Sequence, residues 1–423
     1  MRILYFPKDC PTLCSAYGKI AYYLAVKRLS KLNNPKSHHD VTLFCTVPQQ
    51  LTVFTVDGGV EIYPGMSDMH GEDMFLEWYR QLNADVYMTQ YDIWPLNKVP
   101  QAAARGDIVW IPWLYMDFED FPEYMVQKIR PALRAIPTSK WLESELIKKG
   151  LGNITSPVSP GVDPEEYRPL LGETDSSGKV ITKERLRAGL GFEPDSFVIG
   201  MVQMNQLWRK PFPEQFEGIK IFAERNKDIK VRVFVHSQPR VRESWDLPAL
   251  AKHYGIDSIL RFAEPFELLK GTKGYSEDRM CKIYNGFDVL LQCTGGESPG
   301  YPLIEAQSCG IPCIGTDTTA IPEFIKAGYT VKVAKFVQSP NLIKKALPDP
   351  YDIADKLEKV ARSGAQKWLI PARDFGKQFT WDRTFEEMNA ILEKAELDIE
   401  SICAKVPSPS EGWNALKIPE VLA

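Results

Sequence analysis

Two glutamates, Glu297 and Glu305, stand eight positions apart across a turn that carries Gly296, Ser298, Pro299 and Gly300. An ionised carboxylate only accepts hydrogen bonds, so the pair suits a ligand rich in hydroxyl groups. The helix expected after Gly300 adds first-turn amides that lack intrahelical partners and favour a phosphate. Eight helical residues span on the order of 12 Å, the length scale of a nucleotide diphosphate sugar. Upstream, Arg209 and Lys210 follow the apolar run 197–203. Fixed cations there would stabilise the negative charge that develops as a diphosphate departs. Taken singly, each of these residues reads as a solvated side chain, and an acid near a helix start is favoured by the helix dipole alone. Their grouping points to a donor site.

Such a site needs a scaffold that brings distant residues together. The apolar run 287–292, the turn, a short helix and a second run at 311–315 spell a parallel β-α-β unit. Its turn falls at the carboxyl edge of the sheet, where ligands bind. In the first half, 41–44, 84–88 and 107–111 read as strands. Stretches 72–82 and 140–149 read as helices, the second startable by Ser139 and stopped by Gly150. Runs 197–203, 229–235 and 287–292 predict a second sheet. Pro211 and Pro213 suit the start of a helix through Phe216, Ile219 and Phe222. The polar stretch 172–178 predicts a linker between domains at 1–171 and 179–381. Beyond Trp381, Phe385, Met388, Ile391, Leu392 and Ala395 recur at helical spacing. An amphipathic helix is expected there within 382–423, followed by an irregular tail with Pro407, Pro409, Gly412 and Pro419.

A length of 423 residues exceeds what one core fills, so two domains are expected. A hydrophobic share of 44%, a charged share of 25% and a net charge of −4 are ordinary for a globular chain and give no global attraction to nucleic acid. No apolar run approaches the ~20 residues of a membrane-spanning helix. The strand-like start Arg2-Ile3-Leu4-Tyr5-Phe6 does not resemble a secretion signal. A cytoplasmic location is expected, with peripheral membrane attachment compatible. Eight cysteines in such a length do not make a disulfide scaffold. Cys293, Cys309 and Cys313 read as small buried hydrophobes. Cys10 and Cys14 lack the second pair that a zinc site needs. His38 and His39 adjoin Asp40 in the polar loop 32–40 with no further ligand nearby in sequence, so no metal site is expected.

The Glu-x7-Glu element resembles the signature of retaining GT-B glycosyltransferases of family four, the glycosyltransferases group one. Other stretches match in order along the chain. The run from Met1 to Phe6, followed by Ser15-Ala16-Tyr17-Gly18-Lys19, looks like the family's first strand and glycine loop. Pro160-Gly161-Val162-Asp163 looks like the strand end closing the first domain. The stretch Gly200-Met201-Val202-Gln203-Met204-Asn205, then Trp208-Arg209-Lys210, looks like the first strand and basic loop of the second. Thr316-Asp317 and Ile321-Pro322-Glu323 also fall in place.

The resemblance implies an α/β GT-B fold: two Rossmann-like doubly wound domains, a cleft between them and a C-terminal crossover helix. It implies transfer of a hexose-type sugar from a UDP- or GDP-type nucleotide diphosphate sugar with retained anomeric configuration. No metal and no further cofactor are implied, in keeping with the lack of an Asp-x-Asp element near the basic loop. Carried over by position, Lys210, Arg209, Glu297 and Asp117 are the catalytic candidates. Gly18, Asn205, Arg209, Lys210, Glu297, Ser298, Gly300, Tyr301, Leu303 and Glu305 are the donor-binding ones. The acceptor (glycan, lipid, small molecule or modified nucleic acid) and the oligomeric state stay open.

Three positions depart from the family pattern. Ala16 stands where a second glycine is common. The stretch Pro112-Trp113-Leu114-Tyr115-Met116-Asp117 has no histidine, leaving Asp117 as its polar candidate. Pro299 has no backbone N–H to offer a sugar. Two rival readings are a nucleotide-sugar hydrolase or epimerase and a non-catalytic nucleotide-sugar-binding protein. Lys210 together with Glu297 argues against the second.

Overall fold

Strands with short connections alternate with helices, and the apolar residues of each strand point to both sides. In β1 (Arg2–Asp9), Ile3 and Tyr5 enter one buried cluster while Leu4 and Phe6 enter another. Burial on both faces is what a sheet covered by two helical layers demands. The computed structural model describes residues 1–47, 52–66, 68–264, 274–339, 342–364 and 366–405.

The first sheet continues with β2 (Asp40–Val47), β3 (Phe54–Val56), β4 (Val60–Pro64), β5 (Val86–Tyr91), β6 (Trp110–Leu114) and β7 (Ile136–Pro137). Its order is β3-β4-β2-β1-β5-β6-β7, parallel except for the β3–β4 pair. The second sheet contains β8 (Phe197–Val202), β9 (Val231–His236), β10 (Leu260–Phe262), β11 (Val289–Gln292), β12 (Cys313–Thr316) and β13 (Gly328–Val331). Its order, β10-β9-β8-β11-β12-β13, places a strand-order switch between β8 and β11. Loops leaving neighbouring strands on either side of a switch diverge and open a crevice at the carboxyl edge. The hairpin of β14 (Val333–Gln338) and β15 (Lys344–Pro348) lies beside that edge.

The crossover helix Trp381–Lys405 returns to the first sheet. Trp381, Phe385, Met388, Leu392 and Ala395 are buried in the cluster that holds Ile3 and Tyr5, as their helical spacing requires. The tail with Pro407, Pro409, Gly412 and Pro419 lies outside the described residues.

Several local boundaries differ from the sequence reading. Strands β5 and β6 begin two or three residues later than their apolar runs suggest. The polar residues before them are engaged elsewhere: Asp85 accepts from the Arg2 backbone at 2.6 Å, and Asp107 pairs with Arg105. The helix read at 72–82 is Phe75–Gln81, because the Glu72 carboxylate turns away to accept from the Asn97 and Val99 amides. The stretch 172–178 is a hydrogen-bonded reversal and not a slack linker. Gly172 N–H donates to Ile181 O, Ile181 N–H to Glu173 O, and Asp175 N–H to Lys179 O. Val162, Tyr167 and Leu170 are already buried in the second sheet's core, so the chain enters that unit before this stretch.

Candidate active site

The carboxyl edges of the two sheets face one another, and ion pairs link them. The loop after β8 carries Arg209 and Lys210, the loop after β11 carries Glu297, and the loop after β6 carries Asp117. Lys210 and Glu297 are both buried, with their ammonium and carboxylate in direct contact. Arg209 reaches the other Glu297 oxygen at 2.9 Å and Asp117 at 2.5 Å. Lys345, from β15, pairs with the same Asp117 at 2.7 Å and also donates to its carbonyl. Three cations and two carboxylates, drawn from both sheets and the hairpin, thus share one site in which Lys210, Lys345 and Glu297 are buried and Arg209 and Asp117 are partly so.

The approach of the two halves dictates residue choice. A Cβ on Gly296 would sit 2.0 Å from the Asp117 carbonyl oxygen, so only glycine lets these loops touch. Thr138 Oγ1 lies 2.5 Å from Ser298 Oγ. The Tyr301 hydroxyl donates to Gly161 O at 2.6 Å. Thr318 donates to Glu119 at 2.8 Å, and the Trp141 amide donates to Glu323.

Glu305 lies one turn inside the helix Tyr301–Ser308. It is buried, accepts from the Tyr284 hydroxyl at 2.6 Å and sits 3.6 Å from Lys19. Lys19 stands on the helix Ala16–Ile20 of the first sheet. Burial works against its charge, yet Glu305 and Glu277 outweigh burial and raise its pKa. Gly300 caps the Tyr301–Ser308 helix in the left-handed conformation, with φ +80°.

The structure gives three of the sequence-derived donor residues other tasks. Asn205 donates to Gln238 O and Trp245 O and accepts from Ser244 and the Trp245 amide. That saturates its amide and makes it a clamp for the loop after β9. Leu303 is fully buried in the second core. The Gly18 amide is committed to the Ser15 cap at 3.0 Å. Glu297 differs from expectation as well, because both its oxygens already serve the two cations. Arg209, Lys210, Glu297, Ser298 and Asp117 are brought together, and Glu305 with Tyr301 forms a second group along the same helix.

Two residues with a stake in the site carry no motif. Lys345 lies in a hairpin with no apolar period to flag it. Asp92 follows β5 directly and accepts from the Tyr17 hydroxyl at 3.1 Å. Burial, with Asp117 nearby, pushes its carboxyl up to about 6. The position of Asp92 after an apolar strand was the only signal available in the sequence.

Charge state follows from these surroundings. Burial would raise the Asp117 carboxyl, but Arg209 and Lys345 outweigh it and hold it at about 2. Lys210 and Arg209 likewise overcome burial and hold Glu297 at about 2. Both folded values lie below the roughly 4 expected of unfolded carboxylates. Their stabilising contribution is therefore complete above that value and is lost as pH falls toward 2. Lys210 moves the other way from its usual range, drawn down to about 8 by burial despite Glu297. Any activity that needs its charge should fall as pH rises through about 8. A pH–rate profile checks this, and Lys210→Arg should carry the alkaline limb to higher pH; an unmoved limb would assign it to another group.

Comparison with known proteins agrees with this architecture. HepE from Anabaena, solved in complex with UDP-glucose, aligns with a TM-score of 0.64 at 13% identity, covering 93% of this chain and all of that one. Sucrose-phosphate synthase from Thermosynechococcus elongatus aligns at 0.66 and 13%, covering 94% and 100%. The fold is GT-B. Residues 226–363 match the family model for glycosyl transferases group 1. Among sequence relatives, D-inositol 3-phosphate glycosyltransferase from Actinosynnema mirum is 24% identical over 246 residues, covering 56% of this chain and 51% of the relative. The chain spans about half the length of the curated relatives it matches. The group 1 likeness thus lies in residues 226–363. Among the described residues, no helix is long and apolar enough to cross a membrane.

Proposed function

We propose that the protein is a retaining glycosyltransferase that moves a hexose-type sugar from a UDP- or GDP-sugar to an acceptor hydroxyl, without a metal. The observation that supports this most is the cluster of Lys210, Arg209 and Lys345 with Glu297 and Asp117, set where the carboxyl edges of both sheets meet. In this reading the diphosphate lies against Lys210 and Arg209 at the N-terminal end of the Tyr301–Ser308 helix, where Pro302 offers no amide and the Leu303 amide already donates to Gly300 O. Glu305 takes the ribose hydroxyls. Glu297 aligns the two cations and offers its remaining lone pairs to the sugar.

Glu297 and Asp117 are both held by cations and so are poorly placed to act as nucleophiles, and attack from the face of the leaving group accounts best for retention. The bond from the anomeric carbon to phosphate oxygen breaks as the acceptor oxygen bonds to that carbon on the same side. The acceptor proton passes to the departing phosphate. Water must be excluded while the carbon is electron-poor, and the contacts between the two sheets serve that end.

The test is a panel of UDP- and GDP-sugars with the full chain, reading product anomers by NMR. D-inositol 3-phosphate belongs among the acceptors because of the relatives' name. A product with the donor's anomeric configuration is expected. An inverted product would overturn retention, and free sugar as the sole product would replace transfer by hydrolysis. Activity should persist in EDTA, because in this reading the fixed cations Lys210 and Arg209, not a metal, offset the charge of the diphosphate. Loss of activity that magnesium or manganese restores would refute that account.

A further inference from the structure

The loop 32–40, read from sequence as lacking a third ligand, meets one in the fold. Glu396 of the crossover helix lies 358 positions from His38 in the chain, yet its Oε2 is 2.8 Å from His38 Nε2. One ligand atom each from His38, His39 and Glu396 lie within 4.8 Å of one another. Donors around a tetrahedral zinc stand roughly 3.3 Å apart, given bonds of about 2.0–2.1 Å. His38 and Glu396 have side chains 50% and 28% exposed, so modest rotation closes the difference.

The hydrogen bonds around His39 fix which of its nitrogens is free. Asn389 Nδ2 donates to Glu393 at 2.9 Å, which leaves Asn389 Oδ1 facing His39 Nε2 at 3.0 Å. A carbonyl oxygen can only accept, so Nε2 carries the proton and Nδ1 carries the lone pair. That Nδ1 is buried without a hydrogen-bond partner. An imidazole with one nitrogen donating to an oxygen and the other bare is the arrangement found around metal-bound histidines. The second Glu396 oxygen is held 3.0 Å from the Met1 amine, which orients the carboxylate.

We propose that His38, His39 and Glu396 form a zinc-binding site that ties the loop before β2 to the crossover helix. Two imidazoles and one carboxylate suit zinc or a neighbouring divalent transition ion better than magnesium or calcium. The exposed side of His38 leaves room for water as a fourth ligand. The site lies on the first sheet's helical layer, away from the charged cleft, so its role is to fasten the helix. Because the three ligands come together only when the loop and the crossover helix are in place, binding favours the folded chain by mass action.

Full chain stripped with chelator and dialysed against Zn2+ should hold one zinc per molecule by elemental analysis. Its Tm should rise with zinc concentration, as binding to the folded state alone requires. Cobalt in place of zinc should give the visible absorption of a four-coordinate ion. His38→Gln and Glu396→Gln, both at accessible side chains, should fold by circular dichroism yet bind zinc at least ~10–100-fold more weakly. His39→Gln should do the same if it folds, and the other two variants carry the test if it does not. Native chain that retains no zinc would overturn the proposal, as would variants that bind zinc with native affinity.

Discussion

Lys210→Ala is expected to lower turnover by roughly a hundredfold or more, about 3 kcal/mol of transition-state stabilisation, with donor affinity much less affected. The ammonium is buried against Glu297, at the strand-order switch where the diphosphate is proposed to lie. Its charge is present throughout binding but is worth most when the phosphate oxygen gains full charge on departure. Removing it also leaves Glu297 with Arg209 alone, so folding must be measured beside rate. A variant with near-native Tm and low turnover at saturating donor carries the assignment. Near-native turnover would end it. Glu305→Ala supplies the contrast, since this carboxylate faces Tyr284 and Lys19. It should raise the donor KM with a smaller change in kcat.

The grouping of Lys210, Arg209 and Glu297 was legible in sequence because each sits just after an apolar strand. Parallel sheets deliver such loops to one edge whatever lies between them. The crossover helix was legible through its 3.6-residue stripe. What escaped had no local period. Lys345 acts from a hairpin, Lys19 pairs with Glu305 only because the two halves face each other, and Glu396 meets His38 only through the return of the crossover helix. Asn205 shows a related effect: its position after β8 suits a ligand, yet its amide is taken up by the loop after β9. The loop that saturates it is folded from residues more than thirty positions on. Adjacency along the chain predicts which edge a residue reaches, whereas the partner it finds there depends on contacts distant in sequence.

Asp117 carries the second large expectation, because it is the first sheet's carboxylate in a cluster otherwise drawn from the second sheet and the β14–β15 hairpin. Arg209 and Lys345 both pair with it, and all three side chains are partly or wholly withdrawn from water. Removing one partner of a buried ion pair typically costs ~3–5 kcal/mol, because the remaining charge keeps its desolvation penalty without compensation. Here Lys345 would be left facing a neutral group and Arg209 would keep only Glu297, and the strain has an outlet that a single core lacks: the two halves can separate. Asp117→Asn should therefore spend the loss mainly on opening the cleft, with less effect on each sheet's own core. Solution scattering should show a larger radius of gyration than for the native chain, and transfer activity should fall steeply. The loss should show in both KM and kcat, since an open cleft neither gathers the cations nor excludes water. Asp92→Asn supplies the contrast, because that carboxyl bonds Tyr17 of its own half and acts on Arg209 with no direct ion pair. It should change scattering much less than Asp117→Asn does. If Asp117→Asn scatters as the native chain does and keeps its activity, the ion pairs across the cleft do not hold the halves together, and closure must rest on the apolar and hydrogen-bonded contacts around Ser298, Tyr301 and Glu323.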